Sequence, residues 1–245
     1  LIVNGFDRVA APATFNAPEF SGFVNFVDEG VPDKYELGYT GTQFNFNPNA
    51  KWETDDNPGH GVSHSDYESK EIAGNTFDFA YVHGKAIKEN GYSFCSVSDE
   101  TVMNSKVNLE KYNVVDFIFG EEKKTTTPKY KEKINFEVFP TSLREKISAY
   151  LNGGGKIFLS GSYIGADLYS DKDSSGIRFA NEVLKYKLKT DHAVKTGNVF
   201  SVNENFLSSK TNLEFNTSFN DSIYTVEAPD ELGNVKDSEV LLRYG

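Results

Sequence analysis

Arg8, His83, Glu121 and Tyr163 bring a guanidinium, an imidazole, a carboxylate and a phenol to the chain, and Asn4, Asp7, Glu122 and Ser162 stand beside them or at neighbouring strand ends. Together these types suit an acid/base reaction on an anionic substrate. Arg8 would bind a carboxylate or phosphate, His83 and Glu121 would handle protons, and Tyr163 would assist. Each also has a plainer use. Asp7 and Arg8 suit an ion pair that holds their own loop, Glu121 suits the backbone donors of a turn, and His83 suits hydrogen-bonded packing on a helix. Tyr163 acts as a base or nucleophile only if its pKa falls far below the usual value of about 10, which needs a cation such as Arg8; otherwise it is a platform for stacking a sugar ring.

Other groups are less specific. Ser162 lies in Gly161-Ser162-Tyr163-Ile164-Gly165, but a serine-nucleophile elbow needs glycine at position 160, which is Ser160. Asp55, Asp56, His60, His64 and Asp66 offer oxygen and imidazole ligands in one short loop. The His60 to His64 spacing makes an adjacent pair only on a helix, which Pro58, Gly59 and Gly61 oppose, and no EF-hand spacing is present; solvated turns are the expectation, with no resident metal or cofactor. Cys95, the only cysteine, sits in an apolar strand and reads as a small buried hydrophobe. Trp52, Tyr35, Tyr39 and Tyr67 suit sugar stacking or the local core of their own segment.

The elements that must position these groups are clearest from Tyr112 to Leu168. Val114, Val115, Phe117, Ile118 and Phe119 form a short apolar run ending at Gly120, the pattern of a strand buried on both faces of a parallel sheet, with Glu121 and Glu122 where the chain leaves it. Ser142 and Glu145 have capping-box spacing, Leu143, Ile147, Tyr150 and Leu151 repeat at the helical period, and Gly153, Gly154 and Gly155 stop the helix. A strand over 156–160 follows, then the turn holding Tyr163. Upstream, the pattern predicts strands over 1–4 and 92–97, a helix capped by Asn75 with Phe79, Val82 and Ala86 on one face and Gly91 at its end, and a short helix over 99–105. Downstream it predicts a helix over about 175–186 with Ile177, Phe179, Ala180, Val183 and Leu184 inward, then extended pieces NVFSV, LEFN, IYTVEA and EVLLRY.

This succession predicts a three-layer α/β fold, an open parallel sheet of flavodoxin-like type with right-handed crossovers, helices on both faces and extra C-terminal strands. One domain over 1–245 is expected, elaborated by an insertion over about 11–74 that has neither alternation nor a helical stripe and would be held by its own aromatics or cover the site. Such sheets bind ligands outside the carboxyl ends of their strands, so the loops after the strands are expected to converge on one site.

The 36 acidic and 25 basic residues leave a formal net charge of -11 without a basic stripe, which argues against nucleic acid and anionic membranes as partners. No run approaches the roughly 20 apolar residues of a spanning helix, so no membrane insertion is expected. Leu1 falls inside an apolar segment, LIVNGF, so the chain is expected to begin downstream of a leader and to belong with other domains of a longer protein.

The strand, helix, Gly-Gly-Gly, strand and turn unit resembles the class I glutamine amidotransferase-like fold, whose G-x-C-x-G elbow carries the nucleophile; Gly161 and Gly165 match its glycines and Tyr163 stands in the cysteine position. Over nearly the whole chain, LIVNGFDRV, DDNPGHGVSHSDYE, AGNTFDFAYVHGKAI, GYSFCSVS, VVDFIFGEE and LSGSYIGADL look like secreted bacterial domains labelled xanthan lyase or golvesin-like. That resemblance implies a secreted, periplasmic or cell-surface protein whose partner is an acidic polysaccharide or peptidoglycan, acting by hydrolysis or elimination without the amidotransferase nucleophile. A non-catalytic glycan-binding or scaffolding module is the alternative, and a metal-dependent peptidoglycan amidase using His60 and His64 is a second.

Overall fold

Short apolar strands in a parallel ladder form the scaffold of the amino-terminal half. The computed structural model describes residues 1–5, 79–120, 125–126, 135–170, 174–191, 193–194, 196–203, 212–215 and 229–245. The chain gathers into two compact units, Leu1–Gly161 and Ser162–Gly245, a finer division than the single domain expected. The 11–74 insertion, the Asn75 cap and the IYTVEA piece lie outside the described residues.

In the first unit, β1 (Ile2–Asn4), α1 (Phe79–Glu89), β2 (Ser96–Ser98), α2 (Asp99–Met103), β3 (Val115–Ile118), β4 (Thr125–Thr126), β5 (Asn135–Phe136), α3 (Thr141–Asn152) and β6 (Ile157–Ser160) follow in order. The main sheet has the order β2-β1-β3-β6 and every pairing in it is parallel, while β4 and β5 form a separate antiparallel pair. This establishes an α/β architecture with a four-stranded parallel sheet. Its register matters below: Ile2, Asp116 and Phe158 lie side by side across β1, β3 and β6, and Asn4, Ile118 and Ser160 form the row two residues further on.

Because side chains alternate along a strand, Val115, Phe117 and Phe119 share one face and Asp116 and Ile118 the other. All five are buried. Phe119 stacks parallel to Phe117 at 6.2 Å between centroids and meets Phe139 at 4.8 Å, which seals the first face with aromatic surface. Gly5 is fixed by this packing. Its N–H donates to the Ile118 carbonyl, and a Cβ there would stand 2.5 Å from the Phe119 ring.

Both expected glycine stops form. At the end of α1, Gly91 adopts φ +82°, its N–H donates to the Lys88 carbonyl and the Tyr92 N–H to that of Ile87. At the end of α3, Gly154 adopts φ +88°, with Gly154 N–H on the Leu151 carbonyl and Gly155 N–H on that of Tyr150. Both are Schellman closures, in which glycine takes the left-handed position without a Cβ penalty. The expected capping box does not form. Pro140 occupies the N-cap of α3 and makes no side-chain cap bond, so the helix starts two residues before the position a Ser142 cap would set and Glu145 falls out of capping register. Leu143, Ile147 and Tyr150 are buried as their period implied.

In the second unit, α4 (Ala166–Ser170) and α5 (Ser174–Arg178) lead into a π turn over Phe179–Val183, then β7 (Tyr186–Thr190), β8 (Asn198–Ser201), β9 (Asn212–Glu214), β10 (Glu231–Asn234) and β11 (Leu242–Tyr244). The helix expected to reach residue 186 therefore stops short. Lys185 at φ +64° reverses the chain, and Tyr186 begins a strand that pairs antiparallel with β10. Phe179 and Ala180 are buried as expected, and β8, β9 and β11 make a second antiparallel sheet in the order β11-β8-β9.

Gly5→Ala is expected to lower the stability of the chain by about 1–3 kcal/mol, the usual cost of overpacking a tight core, in a chemical denaturation measurement. A change within about 0.5 kcal/mol would show that Phe119 has room to move.

Candidate functional site

Asp116 is a carboxylate on a strand otherwise made of Val115, Phe117 and Ile118, and it is 8 % exposed. A charge so placed requires a partner, and His83 supplies one. α1 brings the imidazole over the Asp116 face of the sheet, with His83 Nδ1 2.7 Å from Asp116 Oδ2. The remaining carboxylate oxygen, Asp116 Oδ1, is buried and meets no hydrogen-bond partner among the described residues. The His83 ring is partly exposed, its side chain at 26 %. Phe158, the cross-strand neighbour of Asp116, has its ring centroid 6.3 Å from that of His83 and is 58 % exposed.

The chemistry follows from the contact. Where Nδ1–H donates to the carboxylate, the neutral ring keeps its lone pair on Nε2, and Asp116 fixes that tautomer and the orientation of the ring. Gly84, the next residue of α1, is buried against Phe94, where a Cβ would lie 2.4 Å from the ring, so the aromatic sets how closely this turn of the helix seats.

His83 is not where the strand-end rule put it. Asp116 is level with Ile2, two residues before the Asn4, Ile118 and Ser160 row, so the pair sits about 6–7 Å back from the carboxyl edge. At that edge Asn4 is half-buried and its Oδ1 is without a hydrogen-bond partner among the described residues. Gly120, at φ +55°, turns the chain out of β3. Asp7, Arg8, Glu121 and Glu122 lie outside the described residues, as do Asp55, Asp56, His60, His64 and Asp66 with the amidase alternative that depends on them, and Trp52, Tyr35, Tyr39 and Tyr67. Among the described residues, no group of three His, Cys, Asp or Glu is placed to hold a metal ion.

The turn in the second unit is corrected more sharply. Tyr163 is 1 % exposed, so it is a core residue of its unit and not a surface for stacking a sugar. Ser162 is half-buried, and its carbonyl accepts from the Asp230 N–H. The backbone N–H groups of Gly165 and Ala166 both donate to the Asp230 carboxylate, at Oδ2, at 2.8 and 2.6 Å. Cys95 also departs from expectation. It precedes β2, is exposed, and donates to the Tyr112 hydroxyl at 3.3 Å.

Asp116 is the site residue that reading by apolar runs passes over. Its signal was present, since a lone carboxylate inside Val-Val-Asp-Phe-Ile-Phe has to be paired or functional.

No family model, curated protein or solved structure matches this chain.

Tyr163→Ala is expected to cost about 3 kcal/mol or more in equilibrium unfolding, as for other large buried aromatics. A surface aromatic would cost about 0.5 kcal/mol or less, and that result would return Tyr163 to the list of binding residues.

Proposed function

We propose that the chain is an acid/base enzyme acting on an acidic glycan, an extracellular polysaccharide or peptidoglycan, with His83 as the proton-transfer group and Asp116 as the residue that positions it. The observation that carries this reading is the 2.7 Å contact between a partly exposed imidazole and a carboxylate buried in the sheet. In hydrolysis the neutral Nε2 would take a proton from the attacking water; in elimination it would take the proton from the carbon next to the sugar carboxylate. Phe158 supports the substrate class, because an exposed ring beside the base offers a flat apolar surface to the C–H face of a pyranose. The glycan itself, and a secreted, periplasmic or cell-surface location, come from the resemblance to the xanthan lyase-labelled and golvesin-like domains. Arg8 and Glu121 keep their proposed roles as anion-binding and proton-transfer groups, with Asp7 and Glu122 beside them.

The finer fold belongs to the same proposal. A β2-β1-β3-β6 parallel order, with its direction reversing at β1, is compatible with a flavodoxin-like or class I glutamine amidotransferase-like sheet. Under that reading the catalytic position has moved from the turn after β6 to the helix before β2. A second reading, a non-catalytic glycan-binding module of a larger secreted protein, is favoured by Asp230, which occupies the backbone donors that a working elbow would leave for substrate.

Incubation of the chain with a panel of acidic polysaccharides and peptidoglycan fragments, read by mass spectrometry, separates these readings. Cleavage is expected, with His83→Ala and Asp116→Asn each lowering the rate by about 10²–10⁴-fold. Products that gain water define a hydrolase, and products cleaved without that gain define a lyase. Cleavage untouched by His83→Ala would remove the imidazole from the mechanism, and retention of a glycan without cleavage would favour the binding module.

A further inference from the structure

Between α2, the connection that follows it and α3, the first unit holds a pocket of about 260 Å³. Its floor is apolar and fixed. Val102 and Leu109 are buried in it, and Tyr150 is held from two sides: its hydroxyl donates to the Tyr112 carbonyl at 2.8 Å, and the Gly155 backbone lies against its ring, where a Cβ would stand at 2.4 Å. Local closures shape the wall. Ser105 takes φ +57° and its N–H donates to the Val102 carbonyl, which ends α2, and Asn108 Oδ1 accepts from the Glu110 N–H at 2.9 Å to start a single 3₁₀ turn over Leu109–Lys111. The pocket is therefore preformed, as small-molecule sites usually are.

One charge is fixed on this pocket. Lys146, on α3, is half-buried, and its Nζ donates to Ser105 Oγ at 2.7 Å along the rim. A hydroxyl orients the ammonium without neutralising it, and among the described residues no carboxylate pairs with it. Two of its three N–H donors are left over. Glu110 also lines the pocket, but it is exposed, where water and salt screen its charge. The cation therefore dominates over an apolar floor. The volume lies below the roughly 300–1,000 Å³ of sites for drug-sized ligands, so the pocket takes a smaller molecule.

We propose that this pocket is a binding site for a small organic carboxylate with an apolar body, the body resting on Leu109 and Tyr150 and the carboxylate on Lys146. The carboxylate would take the spare ammonium donors in charge-assisted hydrogen bonds, whereas the same body without a charge gains only the burial of its apolar surface. Neither His83 nor Asp116 lines the pocket, so the site stands apart from that pair and from the reading of it as catalytic.

The test is a titration of the isotope-labelled full chain with hydrocinnamate, and with hydrocinnamyl alcohol as its uncharged counterpart, followed by proton–nitrogen correlation spectra. Saturable shifts are expected at the amides of Leu109, Glu110 and Ala149, with the alcohol binding about tenfold or more weakly, the order of one hydrogen bond to a charged group. Lys146→Gln should weaken the acid by about the same factor and leave the alcohol unchanged. Ala149, on the exposed side of α3, lines the pocket as well, so Ala149→Trp should block both ligands without disturbing the core. Equal affinity of the native chain for acid and alcohol, or a Lys146→Gln chain that binds the acid as well as the native one, would overturn the proposal. So would the absence of saturable shifts at these amides, or binding that survives Ala149→Trp.

Discussion

A carboxylate buried inside a parallel sheet is the constraint that the rest of the first unit has to satisfy. β3 passes through the middle of the sheet between β1 and β6, and every one of its residues is buried, Asp116 included. Removing a lone carboxylate from water costs several kcal/mol, and a hydrogen-bonded partner is the usual means of offsetting it. His83 on α1 provides that partner, so the contact that satisfies Asp116 also orients the imidazole. A strand with valine at 116 would pack more simply, and His83 would lose its orientation.

The second unit solves an opposite problem with the same residue type. Its turn presents backbone N–H groups that need an acceptor, and Asp230 supplies a carboxylate from the distant end of the chain. In the first unit an imidazole satisfies a carboxylate; here backbone donors do. Tyr163, buried, and Tyr186, whose hydroxyl donates to the Ile164 carbonyl, are structural aromatics of that turn.

Much of this architecture was legible in the sequence because short apolar runs and glycines act locally. Ile2 and Val3, the run ending at Gly120, and the Gly91 and Gly154 closures follow from burial and from left-handed backbone geometry alone. What was not legible depended on competition. Ser142 and Glu145 carried capping spacing, but Pro140 took the cap. The helical pattern runs on to Tyr186, and only Lys185 in the left-handed region shows that the chain reverses there and enters a strand over Tyr186–Thr190. Tyr163 looked exposed because elbows expose their centres; the partners that bury a side chain in its unit lie far along the chain and leave no local trace. Asp116 was hidden differently, by a run so apolar that its one charge passed for noise. His83 was found as a candidate, but its place over the sheet rather than at the strand ends depends on the β1 and β3 register, which no single segment encodes.

The direct measurement of this account is a long-range proton–nitrogen correlation spectrum of the His83 ring, taken where the ring is neutral, in the native chain and in Asp116→Asn. The account predicts one tautomer in the native chain, protonated on Nδ1 with a bare Nε2, and loss of that preference in the variant. A native ring protonated on Nε2, or a tautomer mixture indifferent to Asp116, would contradict it.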